Sequence, residues 1–182
     1  MLAPVDISNV ILETDRLIIR PWRESDLADF NEYARVDGVG QMAGWVPHKS
    51  MEESKTILGY FISDKRNFAL ELKENGKVIG SIGLEVMYPD PISDERIGRE
   101  LGYVLSKDYW GRGLMPEAVQ AVIGYCFNVL NFDYLTCSHF LRNDRSRRVI
   151  EKTGFTYYGE SGFETQIGHT ELSRNYILYN KR

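Results

Sequence analysis

Residues 100–118, ELGYVLSKDYWGRGLMPEA, decide how the rest of the chain is read. A run with strand character, ELGYVL, is followed by a loop in which Gly111 and Gly113 flank Arg112, and then by a proline and a helix-forming sequence. Glycine weakens regular structure, so such a pair marks a sharp turn or the close approach of another group. Strand, glycine turn and helix start together present backbone N–H groups without intrahelical partners, backed by the positive end of the helix dipole. A set of this kind binds phosphate without needing charged side chains. Pro116 suits the first helical turn, where its missing N–H removes no hydrogen bond, and Arg112 adds positive charge at the same place.

The flanking sequence extends this unit in both directions. Upstream, RLIIR (16–20) reads as a strand closed by Pro21, and 24–35 as a helix with Leu27, Phe30 and Ala34 on one face. A glycine-rich loop (36–47) leads to a second helix that opens with a capping box, Ser50 and Glu53. Residues 68–87 read as a hairpin whose Asn75-Gly76 pair predicts a type I′ turn. A strand over 96–105 precedes the glycine turn. The following helix runs to about Leu130, with Ala118, Ala121, Val122, Tyr125, Cys126 and Val129 as its core face. Then come a strand (133–140), a short helix (144–153) stopped by Gly154, and strands over 155–160 and 171–180. This order predicts an α+β fold: one domain over 1–182, about seven strands in a mostly antiparallel sheet, and about four helices. Only the strand–helix–strand unit around 100–140 calls for a parallel crossover.

Composition narrows the class. With 182 residues, 43% hydrophobic and 26% charged, the chain is ordinary for one globular core. A formal charge of −4 argues against a nucleic-acid partner. No apolar run is long enough to span a bilayer, and the N-terminus lacks a basic segment followed by an apolar stretch, so the expectation is a cytoplasmic protein without a membrane partner. Cys126 and Cys137 have no metal-ligand spacing and read as core thiols; no metal is expected. Against the acidic background, RNDRSRR (142–148) gathers Arg142, Arg145, Arg147 and Arg148, either a solvated helix face or a dock for a small polyanion.

Other phosphate-binding schemes fail on particular residues. The P-loop needs Gly-Lys-Ser/Thr after its first glycine, and that string is absent. The dinucleotide fingerprint needs a third glycine three beyond Gly113, where Pro116 stands, and repeated βαβ units that this order lacks.

Four stretches, in order, resemble one family. TDRLIIRPWRESD (14–26), GWVPHKSMEES (44–54), ELGYVLSKDYWGRGLMPEA (100–118) and NDRSRRVIEKTGF (143–155) are similar to the GNAT superfamily of N-acetyltransferases, in the branch that holds the ribosomal-protein N-terminal acetyltransferases. The resemblance covers about residues 11–180. It implies a bent sheet splayed between the fourth and fifth strands, with acetyl-CoA in the gap. The cofactor's pantetheine arm would then pair with the strand holding Tyr103, Val104 and Leu105. Its pyrophosphate would sit on the loop Trp110, Gly111, Arg112, Gly113, Leu114 and Met115. Asn143 and Ser146 would contact the arm, and Arg147 with its neighbours would reach the phosphates. Trp110 and Met115 depart from the superfamily pattern at the loop's ends, and methionine is bulkier than usual there. Ile150 stands where many relatives carry a general-acid tyrosine, so that role does not carry over.

Acetyl transfer to an amine needs positioning, an oxyanion donor, expected near Val104, and a base for the amine's proton. At pH 7, deprotonating an α-amine takes about 1 kcal/mol and a lysine amine about 4.6 kcal/mol. Glu100, on the central strand, and Glu164, in a loop near the expected acceptor site, are the candidate bases. Ser146 is the candidate for protonating the leaving thiolate. His48, Trp45 and Tyr33 sit where an acceptor site would be walled, but a structural role serves equally well. The amine acceptor is left open between a protein N-terminus and a small molecule, and open strand edges leave a homodimer open. A non-catalytic acetyl-CoA-binding module is the alternative, kept by Met115 and Ile150.

Overall fold

Among the described residues, 4–86 and 95–181 of the computed structural model, the elements follow as β1 (Leu12–Glu13), β2 (Leu17–Pro21), α1 (Leu27–Ala34), α2 (Met51–Asp64), β3 (Asn67–Leu72), β4 (Val78–Glu85), β5 (Gly98–Leu105), α3 (Leu114–Asn128), β6 (Tyr134–Phe140), α4 (Asp144–Lys152), β7 (Thr156–Glu164) and β8 (Thr170–Tyr179). The strands form one sheet in the order β1-β2-β3-β4-β5-β6-β8-β7. The short β1, paired with β2, is one strand more than the sequence suggested. Every neighbouring pair is antiparallel except β5–β6, which the α3 crossover makes parallel.

Helices cover both faces. One core joins Leu17, Ile19, Phe68, Leu70, Ile82 and Leu101 of the sheet to Ala118, Val122 and Cys126 of α3 and Ile150 of α4. On the opposite face, Trp22, Phe30, Tyr33 and Leu58 pack α1 and α2 against Ala69 and Val78. Val129, expected on the core face of α3, is 63% exposed because the helix ends at Asn128, while Val119 and Ile123 are buried instead.

Local chemistry explains the element ends. Ser50 accepts from Glu53 N (3.1 Å), the expected cap of α2, and Glu53 reaches back to Lys49 N rather than Ser50 N. Gly154, at φ +93°, ends α4 as expected. The hairpin turn differs from the type I′ expectation. That turn requires positive φ at both central residues, and Gly76 (φ +74°) has it whereas Asn75 does not. Leu72 N bonds Lys77 O (2.8 Å) and Asn75 Oδ1 accepts from Lys77 N (3.0 Å), so a longer turn over 73–76 closes β3–β4. Met87, the expected end of that hairpin, lies outside the described residues.

A buried ion cluster anchors the start of α1. Arg20 bonds both oxygens of Asp26 (2.8 and 2.9 Å) and Glu71 (2.6 Å), and Asp26 also accepts from Arg23 N (2.8 Å). Removing one member leaves a buried charge short of a partner. With Glu71 still in place, Asp26→Ala is expected to lower unfolding stability by about 3 kcal/mol, read from the midpoint of urea denaturation.

Candidate active site

The strands β5 and β6 pair over only three positions, Gly98–Tyr134, Arg99–Leu135 and Glu100–Thr136, and then part. Beyond Glu100 the two strands leave a gap between Leu101–Leu105 and Cys137–Phe140. A cleft of about 610 Å³ occupies it, within the range of sites for small ligands. Its lining includes Tyr103, Val104 and Leu105 of β5, the loop residues Trp110, Gly111, Gly113, Leu114 and Met115, and Asn143 and Ser146 at the start of α4.

The ladder decides which peptide groups face the gap. Ser106 N donates to Ile79 O (2.7 Å) across β4–β5. Alternation from that pair turns the peptide groups of Gly102 and Val104 toward β4 and those of Leu101, Tyr103 and Leu105 toward the gap. The Cys137 thiol donating to Leu101 O (3.2 Å), and Trp110 Nε1 donating to Leu105 O (2.8 Å), show the same sense. Val104, where an oxyanion donor was expected, therefore spends its N–H on the ladder; the amides turned to the gap belong to Tyr103 and Leu105.

The glycine loop is built for close approach. Gly111 (φ +77°) and Gly113 (φ +74°) both take the left-handed conformation, and Gly113 is the N-cap of α3. Met115 is 4% exposed, its side chain packed into the α3 core, so its bulk does not crowd the loop. Pro116 lies in the first turn, as expected. Arg112 does not line the cleft; its guanidinium lies 5.1 Å from the Tyr109 ring centre. A brace that the sequence reading missed holds this loop. Glu117 accepts from Arg16 N (3.0 Å) and Nε (2.8 Å) and from Thr14 Oγ1 (2.5 Å), and Arg16 Nη1 donates to Arg112 O (2.8 Å).

The arginine cluster divides by helical rotation. Arg145, Arg148 and Lys152 line the cleft, and Arg145 stacks 4.6 Å from the Trp110 ring centre. Arg147 points away, paired with Asp144 (3.1 Å) and Glu151 (3.3 Å). Of the group Arg145, Arg147 and Arg148 expected at the cofactor phosphates, Arg145 and Arg148 thus line the cleft and Arg147 does not. Arg142 bonds Glu171 (2.6 Å) and Gln41 O (2.8 Å), and Asn143 Nδ2 bonds Met42 O (3.2 Å), which ties the loop after α1 over the cleft. Asn143 Oδ1 also caps α4 by accepting from Ser146 N (3.1 Å).

Two polar groups flank the gap from opposite faces of the sheet. Toward α3 and α4, the Tyr103 hydroxyl donates to Ser146 O (3.2 Å) and shares a 2.8 Å hydrogen bond with Ser146 Oγ. Burial, with Cys137 alongside, pushes this phenol well above its ordinary range. The phenol was missed as a side chain because only its backbone was read. On the α1–α2 face, Glu100 accepts from Ser138 Oγ (2.8 Å). Burial raises its carboxyl, and Glu85 nearby adds to the rise against the opposing Ser138 bond.

Glu164 is placed differently from Glu100. It ends β7 rather than lying in a loop, is bonded by Thr170 Oγ1, and does not line the cleft, whereas its neighbour Phe163 does. Strand alternation accounts for this: adjacent side chains take opposite faces. His48 bonds Ser54 Oγ (2.8 Å) and packs on Phe30 and Trp45; Tyr33 is 2% exposed. None of His48, Trp45 and Tyr33 lines the cleft. Among the described residues no group of His, Cys, Asp and Glu could hold a metal ion, and no helix is long and apolar enough to cross a membrane.

The sheet is mixed and splays at its parallel pair among the described residues, with an amide-rich loop at one end of the gap and polar side chains at the other. The family model for the acetyltransferase (GNAT) domain matches residues 16–156, and the chain belongs to that family of N-acetyltransferases, enzymes that use acetyl-CoA. It is 27% identical over 154 residues to the uncharacterized N-acetyltransferase YoaA of Bacillus subtilis, covering 82% of this chain and 84% of that protein. A GNAT-family acetyltransferase from Bacillus anthracis superposes with a TM-score of 0.82 at 19% identity, over 95% of this chain and 100% of that one. The ribosomal-protein-S5-alanine acetyltransferase of Vibrio fischeri superposes with a TM-score of 0.73 at 23% identity, over 95% and 98%.

Proposed function

We propose that the protein is a cytoplasmic enzyme of the ribosomal-protein acetyltransferase branch, transferring acetyl from acetyl-CoA to a primary amine by direct attack within a ternary complex. The acceptor is a protein α-amine or a small amine. The observation that carries this reading is the pairing of proton-handling groups across the gap, Glu100 with Ser138 on one face and Tyr103 with Ser146 on the other.

The residues present fit the cofactor. The loop from Gly111 to Met115 offers helix-start amides for a pyrophosphate, Arg148 and Lys152 offer cations on the same cleft, and the gap-facing amides of Tyr103 and Leu105 offer donors to an extended arm or a carbonyl oxygen. Acetyl-CoA, when bound, supplies the acetyl group as a thioester and departs as the thiol. Glu100 receives the proton that the acceptor's ammonium must lose. Its raised pKa makes the carboxylate a stronger base than an ordinary glutamate, while leaving it ionised above that pKa. Ser146 relays a proton toward the leaving sulfur, and its hydrogen bond with the Tyr103 hydroxyl holds the serine in place.

Incubation with acetyl-CoA and a panel of peptides and small amines tests the proposal. Thiol release with at least one amine is expected. Tight cofactor binding with no release on any amine would make the protein a binding module instead. The arginine assignment has its own expected result. Arg148→Ala weakens acetyl-CoA about tenfold, the scale of one hydrogen bond to a charged group, and Arg147→Ala changes it less than twofold. Calorimetric titration of both variants checks this.

A further inference from the structure

The floor of the cleft holds a second carboxylate that the acetyl-transfer reading leaves unused. Glu85, the last residue of β4, stands directly opposite Glu100 in the β4–β5 register. Paired residues share one face of the sheet, so both project toward the α1–α2 side, and both line the cleft. Room for Glu85 comes from a second opposed pair, Gly83 and Gly102. A Cβ at Gly83 would meet Glu85 Oε1 at 2.3 Å and Asn67 Oδ1 at 2.5 Å, and one at Gly102 would touch Glu85 Cγ at 3.6 Å. The glutamate lies folded over two bare glycines.

Like charges placed directly opposite across a ladder repel, and burial strengthens the effect. Burial raises the carboxyls of Glu85 and Glu100 alike. The cations acting on Glu85 are Arg66 and Arg99, with Asp64 opposing them. Arg66 is held by two hydrogen bonds to Asp64, at 2.8 and 2.9 Å. With Arg66 paired to Asp64, a cation placed between the two opposed glutamates relieves their mutual repulsion at the cleft floor.

We propose that Glu85 is a specificity residue, and that with Glu100 it selects acceptors carrying a second cationic group beside the amine to be acetylated. This rests on the proposed acetyl transfer for its context: Glu100 takes up the reacting ammonium's proton, while Glu85 holds the second charge. A monoamine with a neutral tail adds no charge at Glu85 beyond Arg66 and Arg99.

The test is binding to protein saturated with coenzyme A, measured calorimetrically for diaminobutane and for butylamine, with diaminopropane and diaminopentane to read the spacing. The best diamine is expected to bind about tenfold more tightly than its monoamine, in the range of a partly desolvated charge pair. Glu85→Gln reduces that ratio to within about twofold, and Glu85→Asp keeps part of it. Equal affinities for diamines and monoamines, an unchanged ratio in Glu85→Gln, or no binding of any of these amines overturns the proposal. Thiol release measured alongside separates the two ideas. Diamine preference without release would sink acetyl transfer and leave Glu85 standing; release without preference would do the reverse.

Discussion

Glu100→Gln is expected to lower kcat by roughly 10²- to 10³-fold, the usual contribution of a general base, with acetyl-CoA affinity unchanged. Gln keeps the shape and can still accept from Ser138 Oγ, but it cannot take up a proton. The pH profile carries the sharper signature. In the native enzyme the base must be ionised, so activity falls as pH drops through the raised Glu100 pKa, above the ordinary carboxylate range. That acidic limb disappears in the variant, leaving only the rise set by the acceptor amine. Stability moves the other way. A carboxyl whose folded pKa is raised contributes stability that is present below its unfolded pKa and lost as pH rises through the folded value. Above its folded pKa the buried, ionised Glu100 is therefore a cost, and the variant's thermal midpoint measured there should match or exceed the native one. A variant retaining more than about a tenth of the native kcat would remove Glu100 as the base.

Gly111→Glu is expected to weaken acetyl-CoA binding by about two orders of magnitude. A Cβ at Gly111 meets nothing within 4 Å, so steric collision is not the cause. The left-handed backbone at φ +77° costs a non-glycine residue about 1–2 kcal/mol. A carboxylate at the phosphate-binding amides adds repulsion of about the same size. Gly111→Asn separates the two effects, since asparagine tolerates the left-handed region and carries no charge. Near-native binding in Asn with loss in Glu places the pyrophosphate on this turn. Equal, small losses in both would move the phosphate elsewhere.

Much of this arrangement was legible in the chain because it is local. The Ser50–Glu53 cap, Pro116 in a first helical turn and Gly154 after α4 each follow from the backbone needs of a few adjacent residues. The Asn75-Gly76 turn shows where local reading stops. Asparagine permits positive φ without requiring it, and the closing bond from Leu72 N to Lys77 O selected a longer turn. Arg147 and Arg148 show it again: successive helical residues point about 100° apart, and no local rule says which of them meets the cleft.

The sequence by itself determined the order of the elements, the parallel crossover around the glycine turn, and the chemistry available at that turn. All of these depend on periodicity and on residues close together in the chain. Tertiary structure decided which way each face points. Strand alternation tells that Glu100 and Tyr103 take opposite faces, but only packing on α1–α2 and on α3–α4 assigns one to the proposed acceptor side and the other to the side of Ser146. The same packing turned Glu164 away from the cleft and brought Glu85 beside Glu100. Those two are fifteen residues apart in the chain and joined only through the β4–β5 register. A carboxylate's environment is set by what is buried around it, and that exists only once the sheet has closed against its helices.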